Sequence, residues 1–426
     1  MAEAGSSTKQ LEQKLGFGDL MGSAVGQIIG AGIMSLMPSA IVMTGRSVPI
    51  AFLIAAIITC ITAIPYIFIS STVRLRGGIY TQVAMLGGPK FAGMYVITTF
   101  TGCFSLAMYC NSLADYVGDL FAWEAGTKKM AALAVILIFS LIIFAVMGIG
   151  KVQWEGYFDN SDGYFMSGSL MGLLQAGGLL TFATGGATSV LNFSAEAKNP
   201  TRDIPLVMIV STLAVAVMYG FLAFVAAGVL PYEEVAGQNL TVVANFVLNR
   251  PLYILFVVGG AGCALASTLN NQLATAPKPM MQMCDDGWLP AKVASLNKRN
   301  SPYIIQTILF VVGAVCCVSG LSISVLSNMC ILASAISNVV VFWNTRKIPD
   351  MFPDQWAKSP YHISKGLLTV ICAISTCASL FNSYLNASSL STTLLILNGA
   401  ILAGALGFGF VREKHAHMDI SYETVD

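Results

Sequence analysis

Stretches of apolar residues, each long enough to cross a lipid bilayer, recur along the whole chain. A helix needs roughly 20 mostly apolar residues to span the bilayer, which is about twice the length of a strand in a membrane barrel. Hydrophobic residues make up 56% of the 426 residues and charged residues 10%, so a soluble fold could not bury this much apolar surface. The sequence therefore predicts an all-α integral membrane protein with eleven spans, near residues 19–42, 48–70, 92–121, 130–150, 168–193, 204–229, 252–276, 303–320, 322–343, 365–385 and 391–411.

Composition and motifs argue against a nucleic-acid partner, an enzyme and a metal protein. The net charge is +1, and no basic stretch is interleaved with aromatic residues. The three histidines, His362, His415 and His417, lie near helix ends or in the tail, and no nucleophile–base set is present. The ten cysteines lack metal-ligand spacing. We expect no catalytic residue, no metal site and no cofactor other than Na⁺ or H⁺ as a coupling ion.

Lysine and arginine residues are concentrated in alternate loops, and this orients the helices because positively charged loops stay in the cytoplasm. We therefore expect a multi-pass protein of the plasma membrane whose N- and C-termini are both cytoplasmic. The basic residues on which this orientation depends are Lys9, Lys14, Arg74, Arg76, Lys90, Lys198, Arg202, Lys278, Lys292, Lys298, Arg299, Arg346, Lys347, Lys358, Arg412 and Lys414.

One interval breaks the alternation. Lys151 and Lys198 would both be cytoplasmic, yet only the single run at 168–193 lies between them. The polar residues that precede this run are too few to form a second span. The mismatch predicts that a helix is missing from the sequence between Gln153 and Trp154, which would then lie on opposite faces of the membrane.

Glycines interrupt two of the apolar runs, at Gly30–Gly32 in the first span and at Thr184–Gly186 in the fifth. Backbone groups freed by such a break are tolerated at membrane depth only where they line a cavity or meet a ligand. Interrupted spans at corresponding places in two halves point to the binding site of a transporter. For the first span a packing stripe is the alternative, because Gly22, Gly26 and Gly30 are four residues apart and let helices approach closely.

Two broken helices can hold an amino acid without any charged side chain. The N-terminus of a half-helix presents N–H groups to a carboxylate, and the C-terminus of a half-helix presents carbonyl groups to an ammonium group. Charged residues are nearly absent from the middle of the spans, whereas a cationic substrate would need a buried carboxylate, which is retained only for function. The pattern favours small neutral amino acids as the substrate.

Four segments resemble the amino acid–polyamine–organocation (APC) superfamily of permeases, and the resemblance runs from about Leu15 to Arg412. Gly26–Ile33 resembles the glycine motif of the family's first helix, and Phe182–Pro205 is similar to its sixth helix and following loop. Two loops add shorter matches, although Arg74-Leu75-Arg76 replaces the usual proline before the first of them. These loops are Arg76–Tyr80 and Cys284–Pro290.

The resemblance implies a single transporter domain over 1–426. Its fold is an inverted-repeat five-plus-five arrangement with two extra C-terminal helices and discontinuous first and sixth helices. The first repeat would occupy 16–153, truncated because its fifth helix is missing from this sequence, and the second repeat would occupy 168–345. The two C-terminal helices would lie within 363–412.

The resemblance also implies roles for individual residues. Backbone N–H groups of the first break would hold the substrate carboxylate, carbonyl groups near both breaks would hold the amino group, and the ring of Phe182 would close over the substrate. The predicted substrate-binding residues are Ile28, Gly30, Ala31, Gly32, Phe182, Thr184, Gly185 and Gly186.

Ser267 and Thr268 resemble the sodium-site pair of sodium-coupled relatives of this fold. Oxygen ligands suit a hard cation, and the alternative for these hydroxyl groups is hydrogen bonding between helices. Together these features predict a secondary active transporter, a symporter or an exchanger, of small neutral L-amino acids that works by alternating access. The alternative is a non-transporting amino-acid sensor or a transport-associated membrane subunit with the same fold. The sequence identifies no partner subunit, and the lipid bilayer is the only other partner expected.

Overall fold

Helices account for most of the residues that this computed structural model describes, which are residues 13–117, 130–297, 301–417 and 422–423. The α-helices in this part of the chain are α1 (Phe17–Ala31), α2 (Met37–Thr44), α3 (Val48–Thr72), α4 (Ile79–Gly87), α5 (Pro89–Thr101), α6 (Cys103–Val117), α7 (Met130–Ile149), α8 (Ser169–Thr184), α9 (Pro200–Gly228), α10 (Tyr232–Val235), α11 (Thr241–Val247), α12 (Arg250–Ile254), α13 (Cys263–Thr275), α14 (Pro277–Asp285), α15 (Tyr303–Val318), α16 (Ile323–Asn344), α17 (Ile348–Met351), α18 (Pro353–Lys358), α19 (Lys365–Ser388) and α20 (Thr392–Arg412).

Shorter segments of other geometry lie between these helices. Two strands, β1 (Arg74–Leu75) and β2 (Tyr422–Glu423), pair antiparallel, so the chain near its C-terminal end contacts the loop after α3. The π-helical segments are Gly32–Leu36 and Leu255–Gly262, and the 3₁₀ segments are Gly45–Ser47, Gly185–Phe193, Ala291–Ala294, Thr345–Lys347 and Glu413–His415.

The prediction of an all-α membrane protein is confirmed. Among the described residues, eight helical stretches are long and apolar enough to cross a bilayer. The first of them, Phe17–Thr72, covers the first two predicted spans. The predicted fourth and eighth spans fall on shorter apolar helices, Ser140–Ile149 and Tyr303–Val318.

Helices α6 and α7 point the same way, because both run antiparallel to the segment formed by α12 and α13. In α6, Ser105 accepts a hydrogen bond from Gln272 near the end of α13, and later residues of α6 contact the Leu255–Gly262 segment. In α7, Ser140 lies beside Gly260, and the ring of Phe144 lies 4.8 Å from that of Phe256. The end of α6 and the start of α7 therefore lie at opposite ends of the helix bundle. Their connection, 118–129, is outside the described residues.

The predicted separation of Gln153 from Trp154 is wrong. The backbone N–H of Trp154 donates to the carbonyl of Val152 at 3.0 Å, so the chain passes through one tight turn at this point. The N–H of Gln153 donates to the carbonyl of Gly228 at 2.9 Å, which places the turn at the end of α9. No membrane span separates the two residues.

The error arose from Lys151. Its ammonium group donates to the backbone carbonyls of Phe246 and Val247 at 3.0 and 3.1 Å, beyond the end of α9. Lys198 instead precedes the start of α9, at the other end of the bundle. The single helix α8 accounts for this separation, so no extra helix is needed between them. The alternation of direction between successive spans fails earlier in the chain, because α6 and α7 point the same way.

A clamp at the same end joins the α2–α3 corner to the loop 150–168. The guanidinium of Arg46 donates to both carboxylate oxygens of Asp162 at 2.7 and 2.9 Å and to the carbonyl of Asp159 at 2.7 Å. The hydroxyl of Tyr157 donates to the carbonyl of Arg46 at 2.9 Å. Hydrogen bonds from Arg46 and from the backbone of Tyr164 hold the pKa of Asp162 below its usual value.

Candidate functional site

The α-helical geometry ends at both predicted breaks. After Ala31 the chain continues as a π-helix, and after Thr184 it continues as a 3₁₀-helix. The helix type changes at both predicted positions, but the backbone stays helical through each, so the expected interruption of helical geometry is wrong for this conformation. We call these two changes of helix type the breaks.

The two breaks face each other at close range. A Cβ atom on Gly32 would lie 2.5 Å from the Cβ of Ala183, in the last turn of α8. A Cβ atom on Gly186 would lie 3.0 Å from the carbonyl carbon of Gln27 in α1. The first distance is shorter than real contacts of a Cβ atom, and the second is tighter than most of them. The glycines therefore let the segments that follow α1 and α8 pack closely against α8 and α1.

A cavity of about 380 Å³ lies beside the facing breaks. Its size falls at the lower end of the range for small-molecule sites. Among the described residues that line it, none is charged and many carry an amide or hydroxyl group. The amide side chains in its wall are those of Gln27, Asn192, Gln272, Asn338 and Asn382.

A chain of hydrogen bonds fixes two of these amides. Ser23 donates to Asn271 at 2.5 Å, Asn271 donates to Gln27 at 2.7 Å, and Gln27 donates to Gln272 at 3.2 Å. Gln272 then donates to the hydroxyl of Ser105 at 3.4 Å, so the chain joins α1, α13 and α6. A primary amide has two N–H donors and two acceptor sites. Gln272 keeps one donor and one acceptor site, whereas Gln27 also donates to the hydroxyl of Tyr109 and keeps one acceptor site.

The cavity runs from the breaks toward the end of the bundle at which α3 ends and α9 begins. Tyr66, Asn192 and Phe342 line it in that direction. At this end Lys278 forms an ion pair with Glu196 at 2.5 Å. The cavity wall is therefore uncharged, and ionised groups appear only beyond it.

On the other side of the breaks, aromatic side chains fill the interior. The ring centroids of Phe52 and Tyr219 are 5.3 Å apart, and those of Phe144 and Phe256 are 4.8 Å apart. All four side chains are buried. This packing fills the interior between the breaks and the end that carries the Arg46 clamp.

Three of the predicted substrate-binding residues line the cavity: Phe182, Gly185 and Gly186. The ring of Phe182 is half-buried, with its centroid 6.4 Å from that of Tyr109, which also lines the cavity. The structure therefore brings together the predicted aromatic group and the second break. Their role in binding stays a prediction.

The other predicted residues lie in the packed interface behind the cavity. Gly30, Ala31 and Gly32 have helical backbones, whose N–H groups are used within the helix. The carbonyl of Ile28 accepts a hydrogen bond from a tyrosine hydroxyl of α9. Thr184 shares a hydrogen bond of 2.6 Å with the hydroxyl of Thr59. In this conformation these groups are paired with the protein.

The hydroxyl of Thr268 bonds across to α1. It donates to the carbonyl of Gly26 at 2.8 Å and lies 3.1 Å from the carbonyl of Ala264 in its own helix. Ser267 is next to the same glycine. For Thr268 the structure shows the alternative, a hydrogen bond between helices, and a cation at this pair stays a prediction.

The amide groups of the cavity wall are not among the residues predicted from the sequence. Gln27, Asn192 and Asn338 lie inside apolar runs, where an amide is costly unless it has partners or faces a cavity. The cost of an amide in an apolar run is the sequence signal that could have identified these residues. The amino-acid order does not show which of these side chains face the same cavity.

Comparison with known proteins relates the chain to one family. Residues 130–406 match the family model described as amino acid permease. Cationic amino acid transporter 4 of Arabidopsis thaliana, described as vacuolar, is 26% identical over 366 residues, which are 75% of this chain and 60% of that protein.

Two bacterial relatives match over a similar share of the chain. A branched-chain amino acid permease of Bacillus subtilis is 23% identical over 349 residues, 71% of this chain and 73% of that protein. A methylthioribose transporter of the same organism is 24% identical over 338 residues, 69% of this chain and 72% of that protein. This chain thus spans less than two thirds of the plant relative and nearly three quarters of each bacterial one.

Proposed function

The chain belongs to the amino acid permease family of the APC superfamily, and on this premise we propose that it is a secondary active transporter of small neutral L-amino acids. The observation that carries the proposal is the polar, uncharged cavity beside two facing helix breaks. The relatives named as transporters of branched-chain and cationic amino acids support an amino acid as the substrate.

The charge of the cavity selects among amino acids. A side chain with a positive charge would need a carboxylate beside it, because an unpaired charge away from water costs several kcal/mol. The described lining residues include no carboxylate, and the nearest ion pair, Glu196–Lys278, lies beyond the cavity. A neutral substrate fits this wall, whereas the plant relative is named for cationic ones.

We assign the binding contacts to the cavity wall. The substrate would lie against Phe182, Gly185 and Gly186. Gln272 would offer one donor and one acceptor site, and Gln27 one acceptor site. The packed groups of the first break, including the carbonyl of Ile28, would become available only when α1 moves relative to α9. Symport and exchange both remain within the proposal, with Na⁺ or H⁺ as the coupling ion and Ser267–Thr268 as the cation position.

The transport cycle is alternating access in an inverted-repeat fold. We place the cavity end that carries Lys198 and Arg202 in the cytoplasm, because positive loops stay inside. The described conformation is then closed toward the outside by its aromatic pairs and the Arg46 clamp. The chain would reside in the plasma membrane with both termini cytoplasmic.

Uptake by purified protein in proteoliposomes tests this function. Labelled alanine, serine and arginine would be supplied under a Na⁺ gradient, a H⁺ gradient or an internal amino-acid load, with protein-free vesicles as control. We expect uptake of alanine and serine and at least tenfold slower uptake of arginine. Binding of alanine without uptake under any condition would favour the sensor instead.

A further inference from the structure

The cavity extends into a polar pocket between α3, α8 and α19, which we call the α19 subsite. Its wall comprises Thr59 and Thr62 of α3, Thr181 of α8, and Ser379 and Asn382 of α19. Each of these side chains carries a hydroxyl or an amide group, and none is charged. The helix α19 lies outside both predicted repeats, and its side chains Ser379 and Asn382 form the part of this wall that is farthest in sequence from the breaks.

Close packing between helices holds the subsite in shape. A Cβ atom on Gly178 of α8 would lie 2.9 Å from the Cβ of Leu385, so the absence of a side chain there lets α19 approach α8. On the other flank, the hydroxyl of Ser375 in α19 donates to the carbonyl of Ile61 in α3 at 2.8 Å. The positions of the subsite side chains are therefore set by contacts on both sides of α19.

The amide of Asn382 has hydrogen-bonding capacity to spare. Its nitrogen donates to the hydroxyl of Thr181 at 3.0 Å, and its oxygen accepts from Asn386 at 3.1 Å. One N–H donor and one acceptor site remain. They belong to a residue that lines the cavity.

The hydroxyl groups of the subsite can also bind a ligand. Thr62 donates to the carbonyl of Ile58 at 2.9 Å, which leaves its oxygen able to accept. No hydrogen bond of the Ser379 hydroxyl is found within the described part of the chain, although the residue lines the cavity. The subsite thus offers both donors and acceptors.

We propose that the α19 subsite receives the side chain of the substrate and selects L-amino acids with a hydroxyl or carboxamide group: serine, threonine, asparagine and glutamine. This inference rests on the proposed function and narrows its substrate class. An aliphatic side chain in the subsite would separate these polar groups from water without replacing their hydrogen bonds, which is costly. Sites built to bond a polar substrate group reject analogues that lack it.

Threonine and valine provide the most direct test because they have nearly the same shape and differ in one hydroxyl group. The experiment measures how each inhibits uptake of labelled alanine, whose side chain is too short to fill the subsite. We expect threonine to inhibit at a concentration at least tenfold lower than valine, and glutamine at a lower concentration than leucine. Equal or stronger inhibition by valine and leucine would overturn the subsite assignment.

Variants then tie the preference to this pocket. Asn382→Leu and Thr62→Val remove one polar group each while keeping the side-chain volume, and each should lower the preference for threonine over valine at least fivefold. Thr369→Val is the matched control, because Thr369 lies in α19 with its hydroxyl bonded to the carbonyl of Lys365, away from the cavity. It should leave the preference unchanged.

Two results contradict different statements. Variants that fold, judged by thermal unfolding in detergent, and slow the uptake of all amino acids equally would show a packing role only and would overturn the subsite. Absence of any uptake or binding of neutral amino acids by the wild-type protein would instead refute the proposed function, and the subsite with it. Thr62→Val provides the result if Asn382→Leu does not fold.

Discussion

The hydroxyl of Tyr219 donates a hydrogen bond of 2.6 Å to the carbonyl oxygen of Ile28 and so joins α9 to the last turn of α1. Both residues are buried. The family resemblance implies that this carbonyl holds the amino group of the substrate. In the described conformation the hydroxyl of Tyr219 occupies the position from which a substrate would donate to this carbonyl. A substrate could reach it only after the two helices separate.

Replacing Tyr219 by phenylalanine removes this bond and keeps the ring. A typical hydrogen bond contributes about 0.5–1.5 kcal/mol to stability, so Tyr219→Phe should lower the free energy of unfolding by about 1 kcal/mol. Thermal unfolding in detergent measures the change. Tyr384→Phe, at an exposed position of α19, is the control, and equal unfolding temperatures for the two variants would contradict the prediction.

Alanine at Gly32 should block transport by overfilling the contact between the two breaks. The added Cβ would meet Ala183 at 2.5 Å, and overpacking of this kind costs about 1–3 kcal/mol. Ala183→Gly would not restore the space, because the added Cβ would still meet the Cα and the carbonyl oxygen of Ala183 at 2.6 and 2.8 Å. Gly22→Ala is the control, since nothing lies within 4 Å of a Cβ added there, and equal stability and uptake for the two variants would contradict the prediction.

Leucine at Gln27 should lower the uptake of alanine at least tenfold. The change removes the amide that faces the cavity and also deprives Asn271 and Gln272 of their partner. Gln175→Leu is the control, since Gln175 makes a single exposed bond to Ser388. Uptake near the wild-type level in Gln27→Leu, at equal amounts of folded protein, would exclude Gln27 from the site.

Acid should weaken the clamp between Arg46 and Asp162. Because the folded pKa of Asp162 is below its unfolded value, its contribution to stability is complete at neutral pH. That contribution is lost as the pH falls through the lowered pKa, below about pH 4. The unfolding temperature of Asp162→Asn should therefore lie below wild type at pH 7 and approach it at pH 3. Glu155→Gln, in the same loop, should show no such difference at either pH.

Patterns in the sequence predict the helices well and their contacts poorly. The apolar runs identify the spans because the bilayer imposes one length on each helix. Glycine pairs identify the breaks, but the π and 3₁₀ geometries depend on what packs opposite, Ala183 for Gly32 and Gln27 for Gly186. The type of helix at each break is therefore determined by tertiary packing.

Charge patterns are reliable for groups of residues and weak for a single one. The charge of Lys151 alone predicts a cytoplasmic position, yet its ammonium group donates to two carbonyls at the end of α11. The positive-inside rule is a bias counted over whole loops, and one lysine with good local partners can oppose it. A single polar residue is equally hard to interpret from sequence: Asn382 contacts Thr181, which is 201 residues away along the chain.

The common direction of α6 and α7 has a consequence for how the protein enters the membrane. Helices inserted one after another with strict alternation would turn α7 over and invert every helix that follows it. Relative to the proposed orientation, the loops that contain Lys292 and Arg346 would then face the exterior, against the bias that retains basic loops in the cytoplasm. Biogenesis must therefore resolve a conflict between alternation and charge, and the basic loops of the second half are the determinants that would set the final orientation.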